Sequence, residues 1–131
     1  MTDEDRPPLA RPSKTTEFTL VISGSRVRRG WDECVRAANN NMAQAWDQLT
    51  KAPLAVSGRQ AQLRGAMSRR TFQGRELEQW QYEFSSGGRL IYLVDPTPIL
   101  NSRGKQQSAG TVILVEASVG HPKRTERVKG R

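Results

Sequence analysis

Residues 79–95, QWQYEFSSGGRLIYLVD, read as two strands joined by a tight turn. In the first arm Trp80, Tyr82 and Phe84 alternate with Gln79, Gln81 and Glu83, the period of two expected when one strand face meets a core and the other meets solvent. The second arm, Leu90, Ile91, Tyr92, Leu93 and Val94, has no polar interruption, which predicts a strand covered on both faces and therefore central in its sheet. Ser85, Ser86, Gly87 and Gly88 separate the arms and supply the positive φ angles of a short hairpin. Arg89 stands where the turn enters the central strand, a place where neighbouring strands hold a side chain rigidly.

The hairpin belongs to a chain of 131 residues, the size of one domain with a single core. The formal net charge is +8. Asp3, Glu4 and Asp5 offset Arg6, Arg11 and Lys14 near the start, so the whole excess lies beyond residue 16. That balance points to a polyanionic partner, namely nucleic acid, a ribosome, an anionic membrane surface or an acidic protein. A single cysteine, Cys34, excludes an internal disulfide and a cysteine-rich zinc site; with one histidine besides, nothing calls for a metal or other cofactor. No apolar run reaches membrane-spanning length, and the first residues lack the pattern of a signal peptide, so a cytoplasmic location without a membrane partner is expected.

Residues 1–16 combine Pro7, Pro8 and Pro12 with charges and one sizeable apolar group, Leu9, and are expected to form a disordered lead-in. EFTLVI, residues 17–22, reads as a first strand stopped by Ser23 and Gly24. Val27, Trp31, Cys34 or Val35, Ala38, Met42, Ala45 or Trp46, and Leu49 then recur at helical spacing, with Ser25 as an N-cap. The triple Asn39, Asn40, Asn41 interrupts good helix formers and tolerates αL geometry, so the stripe reads as one rod or as an antiparallel helix pair, and either way buries one face against a sheet. Trp31, Trp46, Trp80, Tyr82 and Tyr92 are expected in the core, as is Cys34. Lys51, Arg59, Arg64, Arg69, Arg70 and Arg75 follow with no acid among them, a surface suited to a polyanion. Residues 96–110 read as an exposed, mobile loop, 111–119 as the last strand, and 123–131 as a basic tail.

The order strand, helix pair, basic loop, hairpin, strand resembles toxins of the RelE/ParE superfamily from bacterial type II toxin–antitoxin systems. SSGGRLIYLVD, residues 85–95, resembles the family's turn, arginine and apolar strand with its tyrosine; VILVEASVGHPKRTE, residues 112–126, resembles the last strand and its basic exit. QAQLRGAMSRRTFQGRELEQWQYE, residues 60–83, resembles the segment that leads into the hairpin. The resemblance covers roughly residues 17–126, with 17–122 as the toxin domain, and implies an α+β fold: an N-terminal strand, a helical hairpin, then a three-stranded antiparallel meander.

In the RelE-like branch the resemblance implies ribosome-dependent cleavage of messenger RNA by attack of a 2′-hydroxyl on its own phosphate, with a cognate antitoxin as protein partner and no cofactor. That chemistry needs a base, an acid and a cation beside the crowded phosphorus. Arg89 matches the arginine that contacts the scissile phosphate, and His121 falls where one branch places a proton-transferring histidine. Lys123 and Arg124 lie where another branch has basic residues, and Arg59, Arg64, Arg69, Arg70 and Arg75 are expected to hold RNA or ribosome. The chain departs from RelE proper on the first arm, where Gln79, Gln81 and Glu83 replace lysines that take part in cleavage; Glu83 or Glu78 then serves as the base, Glu83 being the choice. The ParE-like branch poisons DNA gyrase, and a degenerate RNA-binding module is a further alternative, because fold does not dictate function.

Overall fold

The computed structural model of the chain describes residues 8–120. Its elements are β1 (Phe18–Ile22), α1 (Ser25–Ala37), α2 (Asn39–Lys51), β2 (Gln60–Gln62), a 3-10 turn (Gly65–Met67), β3 (Arg69–Phe72), β4 (Arg75–Glu83), β5 (Arg89–Asp95), β6 (Ile99–Leu100), β7 (Gln106–Ser108) and β8 (Gly110–Ser118). The class is α+β, with a mixed sheet in the order β1-β8-β5-β4-β2 and β3 also paired to β4. β5 is central as expected, antiparallel to β4 on one side and to β8 on the other. β1 runs parallel to β8 at one edge, while β2 and β3 follow one another along the far edge of β4.

The alternation of the hairpin sorts side chains to two faces. Trp80, Tyr82, Phe84, Leu90, Tyr92, Val94, Val112 and Leu114 meet Cys34, Met42, Ala45 and Leu49 of the helices in the main core. The opposite face carries a small apolar strip, Leu77, Leu93 and Ile113 with Phe72 and Val115, and among the described residues no helix covers it. One consequence is an open, rigid sheet surface on which polar side chains are arrayed.

A buried polar network ties the helices to the central strand. The Tyr92 hydroxyl donates to the Pro53 carbonyl at 2.8 Å and accepts from Gln60 Nε2 at 2.9 Å. Gln60 also donates to the Ala52 carbonyl and accepts from Gln48 Nε2 at 2.9 Å. The carbonyls of Ala52, which caps the C-terminus of α2, and of Pro53 just beyond it thus find partners inside the protein, where an unmet carbonyl would be costly. Burial pushes the Tyr92 hydroxyl above its ordinary range and the Cys34 thiol up to about 11.

Several expectations are corrected. Ser25 is the first helical residue and does not cap; Gly24 precedes it with no side-chain cap bond. The helices separate at Ala38, and the three asparagines form the first turn of α2, where unpaired backbone N–H groups make their low helix propensity least harmful. Trp46 is 41% exposed, its ring edge-on to Trp31 at 6.1 Å, because it lies at the border of the helical stripe. Gln79, expected to face solvent, is 3% exposed. Residues 96–110 are not a structureless loop: β6 and β7 pair, and Asn101 Oδ1 accepts from the Arg103 and Lys105 N–H groups to build the turn. Of the hairpin's four turn residues only Gly87 has positive φ. Residues 8–16 carry no helix or strand, yet Arg11 pairs with Glu17 at 3.0 Å and Gln106 donates to the Thr15 carbonyl.

Candidate functional site

On the open face, strand register places side chains in rows. Gln81, Ile91 and Glu116 form one row across β4, β5 and β8; Glu83, Arg89 and Ser118 form the next. Strict alternation along β8 would send Glu116 to the core with Val112 and Leu114. A β-bulge prevents this, because Tyr92 pairs with Leu114 and Ile91 with Glu116, leaving Val115 as the extra residue that reverses the facing.

Beside these rows the backbone of residues 63–68 loops out around Gln79. The Leu63 N–H donates to the Gln79 carbonyl at 2.9 Å, the Gln79 N–H to the Ser68 carbonyl at 2.8 Å, and Gln79 Nε2 to the Met67 carbonyl at 2.8 Å. The buried amide of Gln79 is therefore a fixture of this loop, and it sets the position of Arg64. The result is a groove of about 320 Å³ lined by Leu63, Arg64, Met67, Arg70, Gln79, Gln81, Arg89, Ile91, Val115 and Glu116.

The expected cations divide. Arg64, Arg70 and Arg89 line the groove and enter no ion pair among the described residues. Arg89 is exposed, and its Nη1 donates to Gln81 Oε1 at 3.3 Å. Arg69 instead sits 3.8 Å from Glu76 and 3.9 Å from Glu78, and Arg75 pairs with Asp95 while donating to Thr97 at 3.1 Å. The run looked free of acids because its partners come from β4 and β5. Arg59 lies at the hairpin mouth, where its Nη1 donates to the Glu83 carbonyl at 3.3 Å and its own carbonyl accepts from the Glu83 N–H.

Glu83 is exposed, pairs in register with Arg89, and does not line the groove; Glu78 accepts from Trp80 Nε1 at 3.0 Å. His121, Lys123 and Arg124 lie outside the described residues. The carboxylate that lines the groove is Glu116, which period-two reading hides because nothing in TVILVEASV marks the bulge. Gln79, Gln81, Leu63 and Met67 were likewise not legible as groove residues.

The groove thus presents three cations, the Gln81 amide and one carboxylate on a rigid floor fixed by the buried Gln79, with Leu63 and Met67 as an apolar wall. It can take an anionic ligand with a flat apolar part beside it. Among the described residues no three His, Cys, Asp or Glu side chains are grouped to hold a metal ion, and no helix is long and apolar enough to cross a membrane. Comparison with family models, curated proteins and solved structures finds no match.

Proposed function

We propose that the chain is the toxin of a type II toxin–antitoxin pair, of the RelE-like kind, and that it cleaves messenger RNA on the ribosome. The observation that supports this reading is the convergence of Arg64 from the loop before the 3-10 turn, Arg70 from β3 and Arg89 from β5 on one groove of the open sheet face, with no carboxylate within ion-pair distance of any of them among the described residues. Uncompensated guanidinium groups at one place are suited to phosphate oxygens, which they grip two at a time.

In the proposed reaction Arg89 holds the scissile phosphate and stabilises the added negative charge as the 2′-oxygen bonds to phosphorus. A carboxylate takes the 2′-hydroxyl proton, and Glu116 is better placed for this than Glu83 because it lines the groove. The departing 5′-oxygen receives a proton from His121, with Lys123 and Arg124 beside it in sequence. The products are a 2′,3′-cyclic phosphate and a 5′-hydroxyl. Leu63 and Met67 offer a surface for the neighbouring base, and an acidic segment of a cognate antitoxin would cover the groove and silence it.

The test is cell-free translation with purified protein, mapping RNA ends by primer extension, with Arg89→Ala in parallel. Cuts that need translating ribosomes and disappear with Arg89→Ala are expected. Intact RNA together with loss of gyrase supercoiling would refute the nuclease reading in favour of a ParE-like toxin, and intact RNA with salt-sensitive RNA binding alone would favour a degenerate binding module.

A further inference from the structure

The arginines on and beside the open face are held in different ways. Arg69 is flanked by Glu76 and Glu78, and Arg75 is held by Asp95, so the groups that orient these cations also cancel their charge. Arg89 is oriented by a neutral acceptor, Gln81 Oε1. We infer that Gln81 is a positioning residue: it fixes the Arg89 guanidinium over the groove while leaving its whole charge for a phosphate. The inference rests on the reading of the groove as a site for RNA phosphates.

The support of Gln81 is rigid. Its backbone lies inside the sheet, paired with Ala61 of β2 on one side and Ile91 of β5 on the other. The side chain is half-buried, and its Nε2 makes no hydrogen bond among the described residues, so the amide can donate to the ligand while its oxygen holds Arg89. A carboxylate at this point would have nearly the same shape and would make a stronger bond to Arg89. It would also place a negative charge against the cation that the ligand must meet. The acids that flank Arg89 on the neighbouring strands, Glu83 opposite it on β4 and Glu116 diagonal to it on β8, lie beyond ion-pair distance of its guanidinium among the described residues, whereas Gln81 is bonded to it. An amide bonded to the cation, with the neighbouring carboxylates outside ion-pair distance, is the arrangement that keeps an anion-binding group charged beside a proton acceptor.

The test uses the full chain and a short single-stranded RNA whose 2′-hydroxyls are all methylated, so that it binds without being cut. Affinity is read by fluorescence anisotropy over a range of KCl concentrations for the wild type, Gln81→Glu, Gln81→Leu and Arg89→Ala, with thermal melting as the fold control. Arg89→Ala and Gln81→Glu are each expected to weaken binding about tenfold and to lower the salt slope by about 0.7, the value for one phosphate contact on a single strand. Gln81→Leu keeps the charge, so it retains the wild-type slope and loses less affinity. Gln81→Glu binding with wild-type affinity and slope overturns the inference, and so does Gln81→Leu losing as much slope as Gln81→Glu. If Arg89→Ala itself binds like the wild type, the phosphate reading of the groove fails. The tether is then judged by the Arg89 side-chain N–H resonance of the free chain: a shift in Gln81→Leu supports it, and an unchanged resonance overturns it.

Discussion

Replacing Gly30 by alanine tests how α1 is seated on the sheet. In the middle of an exposed helix, glycine to alanine stabilises by about 1 kcal/mol, because alanine restricts the unfolded chain and solvates less backbone. Here the sign should reverse. A Cβ at Gly30 would overlap the Ala117 carbonyl oxygen and lie 3.4 Å from its carbon and 3.5 Å from its Cβ. A carbon normally approaches a carbonyl oxygen to about 3.3 Å, so the two elements must separate. The oxygen cannot swing aside, since Ala117 is paired with Leu90 of the central strand. The helix must lift instead, loosening Val27, Trp31 and Cys34 against the core. Overpacking of this kind costs about 1–3 kcal/mol, so after the propensity gain of about 1 kcal/mol the net loss is up to about 2 kcal/mol. With a urea m-value of about 2 kcal/mol/M, the unfolding midpoint should fall by up to about 1 M. A midpoint equal to or above wild type would refute the account of how α1 packs on β8.

Four other outcomes are expected. Tyr92→Phe leaves the Pro53 carbonyl without its donor and Gln60 short of an acceptor, and should lower stability by about 1–3 kcal/mol in denaturant titrations. Stability should decline with alkali: the Cys34 thiol ionises near 9.0 when unfolded but only at about 11 when buried, so its contribution is intact below 9.0 and is lost as pH rises towards 11. Tyr92, raised in the same sense from 10.0, extends the decline, and the pH slope between 9.0 and 11 should shrink in Cys34→Ala, as measured by chemical denaturation at several pH values. Arg64→Ala and Arg70→Ala should each weaken RNA binding by about tenfold, whereas Arg75→Ala, already neutralised by Asp95, should change it little in the same anisotropy assay. Glu116→Gln should slow cleavage on ribosomes by about 100-fold or more with RNA affinity kept, and Glu83→Gln should do much less, as read by single-turnover cleavage.

Local pattern determined much of the molecule without help. The alternation of Trp80, Tyr82 and Phe84 assigned a core face, the unbroken Leu90, Ile91, Tyr92, Leu93 and Val94 marked a central strand, and three- and four-residue spacing drew a helical stripe onto one side. These are signals within ten residues or so, and burial of apolar surface makes them reliable. The tertiary structure decided the rest, because it depends on what lies opposite in space. Whether an arginine is free or neutralised was settled by Glu76, Glu78 and Asp95, residues from other strands. Gln79 was turned from a solvent residue into a buried clamp by a loop that folds around it. Most of all, one unpaired residue, Val115, changed the side of the sheet on which Glu116 stands. A bulge exists only between two strands in register, so no reading of β8 by itself reveals it, and the carboxylate of the groove became visible only when β8 was laid beside β5.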